Sequence, residues 1–312
     1  MRADRVRVSR MTLTMRYRPP FTVDLGGVLA PLRRGKGDPC LRVTDAGVIW
    51  LTGNTADGPG TLALRRFADG AIEAEAWGPG ADRLLDGVPA LLGANDDDSE
   101  FVAHHDVVAE VRRRMPGLRF GASGRVWDAL IPAVLEQKVT GVEARRSWRE
   151  LCRWYGEPAP GPAPAGMRVP PTPEAIMSIV DWKWHRAGVD LTRRRTLVFA
   201  AQVAHRLEHA AELGGEQGRH RLRKVPGIGV WTAAEVAQRA WGDADAVSFG
   251  DFHIPTVVGY ALLGEPLDDA GLAEVLAPYA PQRQRAVRYL EAAGFSRPRF
   301  GPRYPVRDYR AM

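Results

Sequence analysis

The chain has 312 residues, 45% hydrophobic and 26% charged, enough for about two globular domains that each bury a core. Its 33 glycines and 24 prolines stay below the low-complexity range, and no apolar run reaches the roughly 20 residues of a membrane helix, so a disordered chain and a membrane partner are excluded. The formal charge of +6 is uneven: residues 1–110 carry 13 basic and 16 acidic groups, net −3, and residues 111–312 carry 30 and 21, net +9, which predicts an anionic partner for the second part. Cys40 and Cys152 form no CxxC pair, so a disulfide scaffold, a structural zinc site and a four-cysteine iron–sulfur cluster have no support. The start, MRADRVRVSRMTLTMR, has arginines but no apolar core of a signal peptide, and a cytoplasmic protein is expected.

In chain order, the stretch from Pro19 to about Gly93 is strand-like. Leu41–Thr44, Val48–Leu51, Thr61–Phe67 and Ala71–Trp77 are bounded by Gly, Asp and Asn, and Ala68-Asp-Gly70 predicts a hairpin turn between the last two. Ala81–Leu92 predicts a helix. Residues 1–110 thus read as a small α/β domain with a basic leader. The acidic run Asn95–Glu100 lacks the spacing and glycine of a calcium loop and reads as a solvated connection. From Gly124 the apolar period becomes helical, through Val126, Ala129, Leu130, Ala133, Val134 and Gln137 to Trp148, Leu151, Trp154 and Tyr155. Seven prolines in residues 157–173 predict an extended surface connection. Helices are expected again over Glu174–Val180, over Leu191 to about Leu213, and on both sides of Val225-Pro-Gly-Ile-Gly229. Residues 111–296 form the helical body, and 297–312 a basic tail containing Arg297, Arg299, Arg303, Arg307 and Arg310.

Pro226, Gly227 and Gly229 between two helical segments predict a hairpin. Two glycines around Ile228 let the backbone turn tightly and bring its N–H groups, with the N-terminus of the next helix, up to a phosphate. The plain alternative is a turn joining two core helices. About twenty residues on, Gly242-Asp-Ala-Asp-Ala-Val-Ser-Phe-Gly-Asp-Phe-His-Ile-Pro places Asp251 just before another apolar helix, where it serves at least as an N-cap.

These residues resemble the helix-hairpin-helix DNA glycosylase superfamily, and among its members DNA-3-methyladenine glycosylase II. Arg18-Pro-Pro-Phe21, Pro116-Gly-Leu-Arg119, Ala133-Val-Leu-Glu-Gln-Lys-Val-Thr140, Pro171-Thr-Pro-Glu174 and Tyr279-Ala-Pro-Gln-Arg283 follow in the family's order, so the resemblance spans nearly the whole chain. It implies a mostly α protein: the helix-hairpin-helix glycosylase fold with an N-terminal α/β domain similar to half of a TATA-binding protein. It also implies an enzyme of base excision repair that flips an alkylated base out of double-stranded DNA and hydrolyses its N-glycosidic bond, acting as a monomer.

The resemblance assigns roles position by position. Asp251 is the catalytic carboxylate, stabilising the oxocarbenium-like sugar and orienting water. Gly227, Ile228, Gly229 and Thr232 form the phosphate-binding hairpin, while Gln137 and Lys138 match the segment that probes the minor groove. His253 lies where relatives approach the phosphates. Lys138 reads equally as a solvated lysine, and His253 as a cap or core residue. Trp231 and Phe252 match aromatics of the base pocket, Trp231 also fitting a core position; Glu235, Gln282 and Leu29 stand where the family has aromatics, which makes the pocket less aromatic. Bifunctional members carry a lysine where this chain has Trp231, and only four lysines occur, Lys36, Lys138, Lys183 and Lys224; water is the implied nucleophile. No metal or organic cofactor is implied, apart from a monovalent cation that hairpin carbonyls hold in this superfamily. The other readings are an 8-oxoguanine-type glycosylase/lyase, which wants the missing lysine, and a catalytically silent lesion-binding protein. His205-Arg-Leu-Glu-His209 fits an inverted zinc-peptidase pattern, but Arg206, Glu208 and Glu212 beside it read as a solvated helix face.

Overall fold

The computed structural model describes residues 4–9, 12–295 and 308. The N-terminal part is one antiparallel sheet of six strands in the order β1-β2-β6-β5-β4-β3. Strands β1 (Asp4–Ser9) and β2 (Thr12–Tyr17) precede α1 (Leu25–Leu29) and a 3₁₀ turn (Ala30–Leu32); β3 (Leu41–Val43), β4 (Ile49–Thr55), β5 (Gly58–Arg66) and β6 (Ile72–Trp77) follow. Part of the stretch expected as a basic leader, Asp4–Ser9, is a strand of the sheet, as is Thr12–Tyr17. The reason is visible at β2, where Met15 and Tyr17 are buried and Arg16 between them is exposed, with Leu13 to Tyr17 paired against Ala76 to Ile72. The β5–β6 turn forms as expected: Gly70 has φ +79°, and Asp69 Oδ1 accepts from Ala71 N at 3.0 Å.

The expected helix over residues 81–92 divides into α2 (Ala81–Asp86) and α3 (Val88–Leu91). Pro89 has no N–H to donate and its ring would meet the carbonyl four residues back, so one helix cannot run through. Both pack on the sheet in a core of Leu62, Leu64, Ile72, Leu84, Leu85, Val88 and Leu92.

The body then runs through α4 (Asp106–Arg114), α5 (Val126–Leu135), α6 (Gly141–Tyr155), α7 (Pro173–Met177), α8 (Asp181–Ala187), α9 (Leu191–Gln202), α10 (Ala204–Leu213), α11 (Gly215–Leu222) and α12 (Val230–Ala240). It closes with α13 (Ile254–Leu262), α14 (Asp269–Leu276), a 3₁₀ turn (Ala277–Tyr279) and α15 (Arg283–Ala292). Local chemistry sets several starts. Thr140 and Glu143 make a reciprocal capping box on α6, and Asp190 accepts from Thr192 N and Arg193 N at the head of α9. Helix α5 is capped from elsewhere: Glu208 on α10 accepts from Val126 N at 2.9 Å and Trp127 N at 2.8 Å. Glu208 is therefore no part of a solvated face, whereas His205 and His209 are exposed. The expected single helix over 191–213 breaks at Val203, and α8 was not expected at all.

Two large cores and a small cluster of Ala234, Ala237 and Ala246 sit in this body among the described residues. One gathers α5 with Trp148, Trp184, Leu197, Leu207, Val225, Ile228 and Val236; the other joins Phe101, Val108 and Val111 to Ile254, Val258, Leu276, Tyr289 and Leu290. The proline-rich connection is not confined to the surface. Met167 and Val169 are buried, Arg168 N donates to Pro39 O at 2.8 Å, and Trp127 Nε1 donates to Pro171 O at 2.9 Å, so it straps the sheet to the body. The acidic run is corrected too: Asp96 is buried, accepting from Phe120 N at 3.0 Å and pairing bidentately with the buried Arg285. Burial of that carboxylate is tolerated because both of its oxygens have donors, and breaking one side of such a pair costs about 3–5 kcal/mol. The expected basic tail, 297–312, lies outside the described residues except for Asp308, which pairs with Arg146 at 3.3 Å.

Candidate active site and hairpin

The hairpin lies between α11 and α12, with Ile228 N donating to Val225 O at 3.1 Å and Gly227 at φ +88°. The two glycines are there for different reasons. A Cβ on Gly227 would stand 2.0 Å from Thr196 Oγ1 on α9, so both the backbone conformation and the packing require glycine. Gly229 is extended (φ −91°, ψ −172°) and a Cβ there would meet nothing within 4 Å. No protein contact explains Gly229, which stands open at the N-terminus of α12. Ile228, by contrast, is buried in the helical core: its side chain anchors the turn, and only its backbone can face a phosphate.

Gln137, at the end of α5, donates from Nε2 to Gly227 O at 3.0 Å and to Thr232 Oγ1 at 2.8 Å. Thr232 is itself buried, so the Gln137 segment and the hairpin form one unit. Lys138 beside it is exposed in a left-handed conformation, φ +53°, which is costly for a residue with a Cβ and is held by the surrounding turn.

Asp251 is half-buried before α13. Its Oδ1 accepts from His253 N at 2.6 Å and Ile254 N at 3.0 Å, and its Oδ2 accepts from the Trp231 indole Nε1 at 3.0 Å. The N-cap position of α13 is His253, so Asp251 stands two residues ahead of it and braces the start of the helix with one oxygen only. The other accepts from Trp231, in the first turn of α12, which ties the carboxylate to the helix that follows the hairpin. Glu235, the next residue on that face, accepts from Ser248 Oγ at 2.6 Å and pairs with Arg239 at 2.9 Å. Phe252 is 66% exposed and meets the His253 ring edge-on at 5.1 Å between centroids.

The structure thus brings Trp231, Glu235, Asp251, Phe252 and His253 together, and joins Gln137 to Gly227 and Thr232. Leu29 is elsewhere: it is 2% exposed, inside the sheet-domain core. Gln282 occupies the N-cap position of α15 without a side-chain cap bond, and its Oε1 accepts from Nε of Arg285, the partner of Asp96. Two arginines without a sequence signal tie neighbouring segments together. Arg239 Nε donates to Pro31 O at 2.9 Å and Arg288 Nη2 to Gly27 O at 3.0 Å, clamping the α1 segment onto the body. Among the described residues no group of three or more His, Cys, Asp or Glu could hold a metal ion, and no helix is long and apolar enough to cross a membrane.

Solved structures place this architecture. A 3-methyladenine DNA-glycosylase from Archaeoglobus fulgidus superposes with a TM-score of 0.72 at 17% identity, over 88% of this chain and 96% of that one. The chain has the helix-hairpin-helix DNA glycosylase fold. The 8-oxoguanine glycosylase/lyase of Clostridium acetobutylicum shares this glycosylase fold with a TM-score of 0.68 at 10% identity, over 93% and 97% of the two chains. In sequence, the chain is 28% identical over 179 residues to a curated protein of Mycobacterium tuberculosis (strain ATCC 25618 / H37Rv) named probable bifunctional transcriptional activator/DNA repair enzyme AlkA. The match covers 57% of this chain and 35% of that relative, so the chain spans about a third of the curated protein it matches. No protein-family model matches the chain.

Proposed function

We propose that this chain is a monofunctional DNA glycosylase that hydrolyses the N-glycosidic bond of alkylated, 3-methyladenine-type bases in double-stranded DNA. The observation that carries the reading is the pair Trp231–Asp251: a carboxylate oriented by an indole N–H at 3.0 Å, where a lyase would need a lysine. The relative named as a DNA repair enzyme and the 3-methyladenine glycosylase neighbour favour alkylated bases over the 8-oxoguanine reading.

The chemistry follows from charge. As the glycosidic bond breaks, positive charge spreads over C1′ and the ring oxygen, and the Asp251 carboxylate stabilises it without itself needing to move, because its hydrogen bonds hold it. Water adds to C1′ and passes its proton toward the carboxylate. The base must leave the stack to reach the site, at a cost smallest for damaged or mispaired nucleotides. Gly229 and the first turn of α12 hold the backbone, with Gln137 and Lys138 beside the gap. The hairpin's neutral carbonyls, of which Pro226 O and Ile228 O accept no hydrogen bond among the described residues, suit a monovalent cation that would hold a phosphate rather than take part in the chemistry.

A panel of duplexes, each with one damaged base, tests the reading. Release of 3-methyladenine or 7-methylguanine with an intact strand is expected; strand cleavage without added base or lyase would favour a glycosylase/lyase, and binding without release a silent lesion-binding protein.

A further inference from the structure

Residues 1–110 are the acidic half of the chain, 13 basic groups against 16 acidic, yet the loop between the first 3₁₀ turn and β3 reads Arg33-Arg34-Gly-Lys36-Gly37. Its middle cation is buried and its outer two are not. Arg34 pairs with Glu136, at the end of α5, at 3.3 Å, and its backbone N–H donates to Asp38 Oδ2 at 2.6 Å. Asp38 is buried too, and its Oδ1 accepts from Cys40 N at 2.9 Å and from the Trp148 indole Nε1 on α6 at 3.0 Å. The loop is thereby fastened to both helices. Glu136 directly precedes Gln137, which holds the hairpin at Gly227 and Thr232, so the loop and the hairpin grip the same turn of chain from two sides.

The loop glycines set how closely the backbone approaches α6. A Cβ on Gly35 would stand 3.1 Å from Arg145 Cδ, and one on Gly37 would stand 3.3 Å from Arg149 Cδ. The loop therefore covers the alkyl stems of two arginines one turn apart on α6 and leaves their charged ends to solvent. The Arg145 end reaches back toward the start of α6, with Nη2 3.7 Å from where a Cβ of Gly141 would stand, three residues after Lys138. Arg33, Lys36, Arg145 and Arg149 are all exposed, and among the described residues none of the four has an ion pair or a side-chain hydrogen bond. The acids beside them do not neutralise the cluster: Glu136 is held by Arg34 and Glu143 by Thr140, and Glu150 makes no pair with Arg149.

We propose that residues 33–37 and the Arg145–Arg149 face of α6 form a second phosphate-binding surface, one that takes the backbone of the duplex beyond the flipped nucleotide and makes the sheet domain part of the DNA interface. The inference rests on the glycosylase reading and extends its contact with DNA to a region that reads no base. Duplex DNA is the occupant because the patch continues directly from the turn that carries Gln137 and Lys138. A row of unpaired cations also gains by displacing the counterions condensed on a polyphosphate, which a solvated helix face does not.

The test measures binding to an undamaged duplex as a function of salt for the parent, the loop pair Arg33→Gln/Lys36→Gln, the helix pair Arg145→Gln/Arg149→Gln and the fourfold variant. Each pair is expected to weaken binding at low salt by about tenfold and to make the slope of log Kd against log salt shallower by about 1 to 2; in the fourfold variant the slope falls by about 2 to 4. A duplex with one 7-methylguanine should lose affinity by the same factor, since phosphate contacts carry no base information. In single turnovers the loss is expected in the protein concentration needed for half-maximal release of the base, with the maximal rate falling far less. Thermal unfolding at the parent temperature checks that the variants fold. A loop pair with the parent's affinity and salt slope overturns the proposal, and so does a loss confined to the damaged duplex. A parent protein that binds duplex and releases no base overturns the glycosylase reading, a separate result that leaves the binding comparison standing.

Discussion

At the scale of single residues, Asp251 couples two helices: α13 through the backbone N–H groups at its start and α12 through Trp231. Asp251→Asn removes the charge and turns an amide NH₂ toward one of three N–H donors. Base release measured in single turnovers is expected to fall by at least about a hundredfold, with affinity for undamaged duplex nearly unchanged. Retained release would reduce Asp251 to a brace for the start of α13. Trp231→Phe keeps a ring and deletes only the indole N–H, so release should drop roughly ten- to hundredfold, the worth of one hydrogen bond to a charged group; full activity would show that the tryptophan serves the base and not the carboxylate. Borohydride is expected to trap no covalent adduct with either protein, since Trp231 stands where a Schiff-base lysine is required. An adduct lost on replacing Lys138 or Lys224 would refute a water nucleophile.

At the scale of elements, the hairpin separates two effects that the sequence presents as one motif. Gly227→Ala is expected to cost about 2 kcal/mol or more in thermal unfolding, from a left-handed backbone and a Cβ 2.0 Å from Thr196 Oγ1. Gly229→Ala, extended and facing open space, should unfold within about 0.5 kcal/mol of the parent and yet bind damaged and undamaged duplex more weakly by the same factor. Unchanged binding by a folded Gly229→Ala protein would remove the phosphate from that turn. The hairpin itself was legible because Pro-Gly-Ile-Gly states its backbone demands locally. Its attachment was not: Gln137 reaches Gly227 and Thr232 across 90 and 95 positions, and glutamine at a helix end has no pattern that names its partners.

At the scale of the whole molecule, buried charge holds the sheet domain and the body together. Asp128 on α5 accepts from Asn54 N and Nδ2 on β4, both at 2.9 Å, and from Arg125 Nε at 3.2 Å. Desolvation lifts its carboxyl above the aspartate range, with Arg125 and Asn54 opposing. A carboxyl raised in the folded state binds more protons folded than unfolded, so its contribution to stability is fully present below the unfolded value near 4 and declines as pH rises through the folded value. The difference in Tm between Asp128→Asn and the parent, followed from pH 4 to pH 7, is therefore expected to move in favour of the asparagine variant. Movement the other way would mean that the Arg125 and Asn54 contacts outweigh burial.

What the sequence determined by itself is what short stretches of chain dictate: the change from a two-residue to a helical apolar period near Gly124, the β5–β6 turn, the glycine hairpin, an aspartate ahead of α13 and the absence of a lysine at Trp231. Each depends on backbone preferences or spacings within a few residues. The tertiary structure alone decided which charges are buried and which are free. Asp96 finds Arg285 across 189 positions and ceases to be a solvated acid, Glu208 becomes the cap of a helix 81 and 82 residues away, and Leu29 and Ile228 turn into cores. Glu235, which the resemblance places in the base pocket, is held by Ser248 and Arg239. The physical reason is that a carboxyl group's charge state and availability are set by what other segments bring within a few ångströms of it, and local sequence does not contain that distance.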